Sequence, residues 1–259
     1  MVALTVLAAL LVCLFLTCHV IRHKNNRQII QAESRIRTDV QKHLNSVDLD
    51  KACKLMIVAH PDDETFWGGG HLLQDKGAYL VVFVTGGTVP ERDKELHQAM
   101  QVCDAQYLLL GYPDLNPDGR INDWKELEFD IKATLKVIIG AKDWDRVVTH
   151  NPHGEYGHKH HRRLSRYMTC LYQHFIKKDN LYYFGIYYKE KYRKLLEKHA
   201  RLPADVAKDK IEKMIVAYPS QLSIQHDHEH MFHYEDWINA KDWNRFGRFL
   251  EKQLIKYTH

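Results

Sequence analysis

Lys54-Leu55-Met56-Ile57-Val58-Ala59-His60-Pro61-Asp62-Asp63-Glu64 is the stretch on which the fold of this 259-residue chain turns. Its first six residues form a short apolar run suited to a strand buried on both faces. An imidazole and two aspartates follow at once, and after Glu64 come Thr65, Phe66, Trp67 and the glycines Gly68, Gly69 and Gly70. Pro61 removes a backbone donor and fixes φ, while the glycines let the next helix approach closely, so the turn can aim polar side chains into a cleft. Alone, Asp62 and Asp63 would read as helix N-capping residues. Beside His60 they read as part of a site.

The pattern repeats outward from this strand. Tyr79 to Val84, Tyr107 to Leu110 and Arg146 to Thr149 are further apolar runs, separated by helical stretches such as Arg92 to Asp104, where Leu96, Ala99, Met100 and Cys103 share a face. Parallel strands need crossovers, usually helices. The sequence therefore predicts an α/β fold with a doubly wound, mostly parallel, Rossmann-like sheet, whose ligands bind beyond the carboxyl ends of the strands. A later strand from Tyr182 to Tyr188 and helices over Glu190 to His199, Asp205 to Tyr218 and Glu235 to Tyr257 complete the expected layers.

A second polar cluster follows the fourth strand: His150-Asn151-Pro152-His153-Gly154-Glu155-Tyr156-Gly157-His158-Lys159-His160-His161. If a helix begins near His158, then His158 and His161 lie on one face. Two strands adjacent in such a sheet bring both clusters to one crevice. Zinc in hydrolases takes three protein ligands from His and carboxylate and keeps a position open for water. His60, Asp63 and His161 supply that set, and another divalent ion could use it. Asp62, next to a ligand, is placed as general base. His158, read as an imidazolium, and Tyr156 are the donors for an oxyanion formed from an amide carbonyl.

These motifs resemble the PIG-L/LmbE family of metal-dependent de-N-acetylases. The resemblance rests on Ala59-His60-Pro61-Asp62-Asp63-Glu64 and on Gly154-Glu155-Tyr156-Gly157-His158 followed by His161, with lesser support from Leu110-Gly111-Tyr112-Pro113-Asp114 and Tyr218-Pro219-Ser220-Gln221. It implies metal ligation by His60, Asp63 and His161, a base at Asp62, oxyanion stabilisation at His158, and substrate contacts at Arg92 and Asp114. It also implies an acetylated amino-sugar substrate, small or lipid-linked, with N-acetylglucosaminyl-phosphatidylinositol favoured by the N-terminal segment described next. One departure stands out: His160 occupies the position before the last ligand where the family commonly has Asp or Asn, which leaves a metal-bound His161 without the carboxylate partner such an imidazole frequently has.

Val2 to Val20 is almost uninterruptedly apolar and long enough to span a bilayer. No charge precedes it, which favours an uncleaved single-pass anchor over a signal peptide. Arg22, Lys24 and Arg27 follow, and a basic flank places the catalytic domain in the cytosol, at the endoplasmic reticulum of a eukaryote or the inner membrane of a bacterium. Residues 1–21 are read as the anchor, 22–50 as an amphipathic stalk and 51–259 as the deacetylase domain. Within the stalk, Ile29, Ile36, Val40 and Leu44 recur at helical spacing, as in a helix packed on the domain surface. The 45% hydrophobic and 27% charged composition excludes disorder as the main theme, and a net charge of +4 without a basic stripe argues against nucleic acid. Five cysteines, none in a Cys-x-x-Cys pair, imply no disulfide framework. The run His226-Asp227-His228-Glu229-His230, with His233, reads as a polar loop at the pocket rim rather than a second metal site. Two other readings compete: an iron oxygenase triad, which belongs to an all-β fold, and a non-catalytic module retaining a metal site.

Overall fold

In the computed structural model, residues 2–87, 89–197 and 200–243 are described. Strand β1 (Lys54–Val58) pairs in parallel with β2 (Tyr79–Phe83) on one side and β4 (Arg146–Thr149) on the other. With β3 (Gln106–Leu109), β5 (Leu181–Phe184) and β6 (Trp237–Asn239), the sheet order is β3-β2-β1-β4-β5-β6. All pairings are parallel except β5 with β6. The chain builds outward from β1 to β3, then crosses back to lay β4 on the far side of β1. That reversal opens a crevice at the carboxyl ends of β1 and β4, where an open α/β sheet binds its ligands.

Strand chemistry explains why the sheet is covered on both faces. Leu55 and Ile57 of β1 enter one core with Leu80, Val82 and Val147, while Met56 and Val58 enter the other with Val81, Phe83 and Val148. Each large apolar side chain so buried is worth roughly 1.5–3 kcal/mol, which accounts for continuous rather than alternating hydrophobicity in β1 and β2. The covering helices are α2 (Asp63–Gln74), α3 (Pro90–Cys103), α4 (Glu128–Ile139) and α5 (Lys159–Leu171).

Helix α1 (Val2–Leu44) runs unbroken from the apolar segment into the stalk. An 18-residue window of it has mean hydropathy 2.1, and none of that window is buried against the protein, so it is long and apolar enough to cross a membrane. Further along, Ile29 and Ala32 pack on Ala133 of α4, while Glu33 pairs with Lys136 at 2.5 Å and Arg35 with Asp130 at 2.8 Å.

Four sequence expectations require correction. The Tyr182 to Tyr188 strand stops at Phe184, because Gly185 turns the chain against Asp236: a Cβ there would meet the Asp236 carbonyl oxygen at 2.5 Å. The helix expected from Glu235 begins instead as β6, since the open edge of β5 accepts a partner; Ile238 is buried in one core and Trp237 stacks on His71 at 3.8 Å. Residues 244–257 of that expected helix lie outside the described residues. The Asp205 to Tyr218 helix is divided into α-helical Ala204–Asp209, a π turn Lys210–Met214 and a 3₁₀ turn Ile215–Ala217, with buried Lys210 bonding to the Phe66 carbonyl at the point of change. The region from Glu190 holds a 3₁₀ turn, Glu190–Tyr192, and one helical turn, Arg193–Leu196; residues 198 and 199 lie outside the described residues.

Candidate active site

β1 ends one residue before Ala59, and the backbone then makes a turn that few L-residues tolerate. Asp62 sits at φ 122°, ψ −32°, immediately before α2. Such a conformation costs a non-glycine residue of order 1–3 kcal/mol and persists only where its surroundings hold it. Glu64 is what holds it: its Oε2 accepts the Asp62 N–H at 3.0 Å, and its Oε1 accepts the hydroxyls of Tyr218 at 2.8 Å and Thr65 at 2.5 Å. The Asp62 side chain makes no capping bond to α2. It faces the crevice, where its Oδ2 accepts from Arg92 at 2.9 Å. The capping interpretation of this aspartate is therefore set aside by geometry. Burial, and after it the Asp63 carboxylate, push the Asp62 carboxyl up to about 8.

The second loop folds around Glu155. Gly154 and Gly157 adopt φ 70° and 99°, and Glu155 itself adopts φ 53°. Asn151 Oδ1 accepts the His153 N–H at 2.8 Å, closing the first turn. This conformation returns the Glu155 carboxylate beneath the two strands: Oε1 accepts the Asn151 N–H at 3.0 Å, and Oε2 lies 2.9 Å from His150 Nδ1 and 2.6 Å from His161 Nδ1. Burial opposes ionisation of Glu155, but the adjacent His150 and His161 outweigh it and hold the group down at about 2. A permanently charged acceptor follows.

The hydrogen-bond network then assigns the imidazole tautomers. His161 donates from Nδ1 to Glu155, leaving a lone pair on Nε2; that atom is buried, lies 3.1 Å from Asp63 Oδ1, and has no hydrogen-bond partner. His160 donates from Nε2 to the Asn122 carbonyl at 2.5 Å, so its Nδ1 accepts from His60 Nε2 at 2.9 Å. A neutral His60 must consequently present the lone pair of Nδ1 to Asp63 Oδ2, 3.1 Å away. Two unprotonated imidazole nitrogens thus converge on one carboxylate. Lone pairs so arranged repel one another unless a cation or proton lies among them, which is the donor set of a divalent-metal site. Among the described residues three overlapping sets keep their ligand atoms within 4.8 Å of one another: His60 with His158 and His161, His60 with Asp114 and His160, and Asp63 with His150 and His161.

All the residues singled out from sequence meet at this crevice. His60, Asp62, Asp63, Arg92, Asp114, Tyr156 and His158 line a cavity of about 110 Å³ with Trp67, Gln221 and Ile224, and His161 lies beneath it, fully buried. Arg92 also donates to the Pro61 carbonyl at 2.5 Å, so it grips both backbone and side chain of the turn. Asp114 lies 3.5 Å from His60 Nε2 and 3.5 Å from His160 Nδ1. Burial keeps the Tyr156 hydroxyl protonated, with Asp63 and Asp62 adding to the effect. Burial, and after it the neighbouring His161 and His60, push the His158 pKa down to about 3, which runs against the imidazolium expected from sequence.

Sequence reasoning passed over three participants. Glu155 is the carboxylate support for His161; its signal was a charged residue inside a Gly-x-x-Gly turn six positions before the ligand. His150 stacks on His161 at 3.7 Å and accepts the Ala59 N–H at 3.0 Å, tying the two loops together. His160, the departure from the family pattern, stacks on Trp124 at 3.9 Å and orients His60 instead of His161. The His226 to His230 run is also resolved differently from a loop. It is the end of the helix Leu222–His228 and a following 3₁₀ turn, and buried His228 lies 4.4 Å from the Tyr156 ring.

Fold and site together define an α/β protein with a cluster of His and Asp side chains able to hold a metal at the switch point of its sheet, which removes the all-β oxygenase reading. Residues 55–172 match the family model described as PIG-L, GlcNAc-PI de-N-acetylase. An uncharacterized protein of Acanthamoeba polyphaga mimivirus is 33% identical over 150 residues; the match covers 52% of this chain and 62% of that protein, less than two thirds of its length. Among solved structures, the 4-carboxy-2-hydroxymuconate hydratase GalB of Pseudomonas putida is similar with a TM-score of 0.42 and 15% identity, covering 80% of this chain and 91% of that one. The N,N'-diacetylchitobiose deacetylase of Pyrococcus horikoshii, complexed with an inhibitor, is similar with a TM-score of 0.44 and 16% identity, covering 86% of each chain. Both are distant likenesses.

Proposed function

We propose that this protein is a zinc-dependent N-deacetylase that hydrolyses the N-acetyl amide of an acetylated amino sugar, with N-acetylglucosaminyl-phosphatidylinositol as the substrate, and releases acetate. The observation that carries this reading is the convergence of His60 Nδ1 and His161 Nε2 on the two oxygens of Asp63, both 3.1 Å away, beside an aspartate held in a strained turn. His60, Asp63 and His161 would hold the ion; when bound, it supplies Lewis acidity and acidifies water.

The chain's own groups supply the proton traffic. Asp62 takes a proton from the attacking water and delivers it to the departing amine, giving acetic acid and free amine, which exchange a proton to leave acetate and the ammonium form. Its elevated basicity, set by burial and Asp63, suits a group that must both accept and release a proton. Arg92 fixes the carboxylate through the 2.9 Å bond and keeps it in line with the cleft. Tyr156 and His158, both neutral donors, face the position where the carbonyl oxygen gains charge. Asp114 and Gln221 border the cleft where a sugar hydroxyl would bind. At about 110 Å³ the cavity is well below the roughly 300–1,000 Å³ that encloses a drug-sized ligand, so it takes the acetamido end and leaves the remainder of the substrate at the surface.

The membrane assignment belongs to the same proposal. Residues 1–21 anchor the chain, 22–50 form the stalk, and 51–259 form the catalytic domain on the cytosolic side, at the endoplasmic reticulum in a eukaryote. A lipid-linked substrate then lies in the same membrane as the enzyme. The test is to purify the full chain in detergent, measure bound metal, and compare acetate release from N-acetylglucosaminyl-phosphatidylinositol and free N-acetylglucosamine. Zinc at one equivalent, chelator-sensitive turnover and preference for the lipid are expected. A metal-replete protein that releases no acetate from either compound would overturn the proposal.

A further inference from the structure

α5 carries a second row of side chains that amide chemistry leaves unused. Lys159, Arg162, Arg163 and Arg166 are spaced by three, one and three residues, which strings them along one side of the helix. With Asp123 and Ser165 they border a cavity of about 710 Å³ that shares no lining residue with the catalytic cleft. Four cations there face one carboxylate. Arg163 lies 3.7 Å from Asp123 and Arg166 lies 3.3 Å from Glu128, while Lys159 and Arg162 have no carboxylate partner among the described residues. Ser165 is fully buried at the cavity wall, and its hydroxyl has no hydrogen-bond partner. Guanidinium groups in such a row match the oxygens of a phosphate.

The position of this cavity points to the source of the phosphate. Cys170 borders it and also borders a neighbouring apolar groove formed with Cys18, Ile21 and Arg22 of α1. Those α1 residues mark where the apolar run ends, at Val20. If α1 spans a bilayer, the cationic cavity lies beside the headgroup layer, where basic side chains meet anionic lipid. Trp243, also at its border, supplies the amphipathic ring favoured at that depth.

We propose that this cavity binds the phosphate of an anionic phospholipid headgroup from the leaflet that holds α1, seating the domain on the membrane separately from catalysis. The proposal rests on the reading of α1 as a bilayer anchor. The probe is water-soluble dihexanoyl phosphatidic acid, titrated calorimetrically into the full chain in neutral detergent, with inorganic phosphate and dihexanoyl phosphatidylcholine in parallel arms. Each cation near an anionic lipid is worth about fivefold in affinity, so Arg162→Gln with Arg166→Gln should weaken phosphatidic acid binding about 30-fold. Because the Arg162 stem packs on Gly154, the pair Lys159→Gln with Arg166→Gln is the second variant, with the same loss expected. Lys51→Gln with Lys178→Gln should leave binding unchanged. Undiminished binding in both α5 variants, phosphatidylcholine binding as tight as phosphatidic acid, or inorganic phosphate binding as tight as the lipid would overturn the proposal. Acetate release from a soluble substrate by the same preparation reports separately on the deacetylase reading.

Discussion

Lys210→Met removes one half of a fully buried ion pair, and its consequences can be worked from the structure. Lys210 Nζ lies 2.7 Å from Glu235 and 2.8 Å from the Phe66 carbonyl, and neither charged side chain is exposed. Glu235 in turn accepts from Gly70 N at 2.6 Å and His71 Nδ1 at 2.7 Å, so the pair clamps α2, whose first residue is Asp63. Breaking such a pair by deleting one partner strands a buried charge and costs about 3–5 kcal/mol. For a domain of this size each kcal/mol moves the midpoint by about 2–4 °C, which gives a fall of about 6–20 °C. The assay is thermal unfolding followed by tryptophan fluorescence, since Trp67 and Trp237 lie near the clamp. Replacing both partners, Lys210→Met with Glu235→Gln, should cost less than Lys210→Met alone, because no charge is then left unpaired. The pH dependence carries a sign. Burial opposes the Glu235 carboxylate, but Lys210 and His71 outweigh it and hold the pKa at about 2 against an ordinary 4.5. A depressed pKa stabilises the fold above the ordinary value, and that stability is lost as pH falls from about 4.5 towards about 2, by roughly 3 kcal/mol. Lys210→Met should shrink this acid-sensitive increment. A shift below about 1 kcal/mol in the single variant, or an acid limb identical to the parent's, would refute the reasoning.

The site makes further predictions. Asp62→Asn should keep its metal and fold but lose about 10²–10⁴ in acetate release, whereas His161→Ala should lose both metal and activity; bound metal and turnover measured on one preparation separate the two. Glu155→Gln should lower metal affinity by about 10–100-fold, read by competition with a chelator, because His161 loses its charged partner. Asp62→Gly should unfold at higher temperature than the parent, by about 1 kcal/mol of stability, while being inactive, because glycine accepts φ 122° without strain. A less stable glycine variant would show that the turn carries no such strain.

Much of this was legible in residue order, and the reason is local. Buried parallel strands need continuous apolar runs, so β1, β2 and β4 announce themselves, and the residues just beyond their ends mark the crevice. His60, Asp62, Asp63, Tyr156, His158 and His161 follow from that rule and their donor chemistry. What depended on distance along the chain was not legible. Glu155 supports His161 only because Gly154, Gly157 and Glu155 itself take positive φ, and Glu64 holds Asp62 only with Tyr218 arriving from far downstream. Trp237–Asn239 became a strand because β5 had an open edge, which no local propensity reports. Burial and neighbouring imidazoles, which only assembly creates, lower the pKa of His158. Sequence alone determined the fold class, the strand ends that carry chemistry and the donor types present, since these depend on hydrophobic pattern and residue identity. Tertiary structure decided which donors meet, which tautomers they hold and what charge they carry, because desolvation and hydrogen-bond partners exist only once separated segments share one interior.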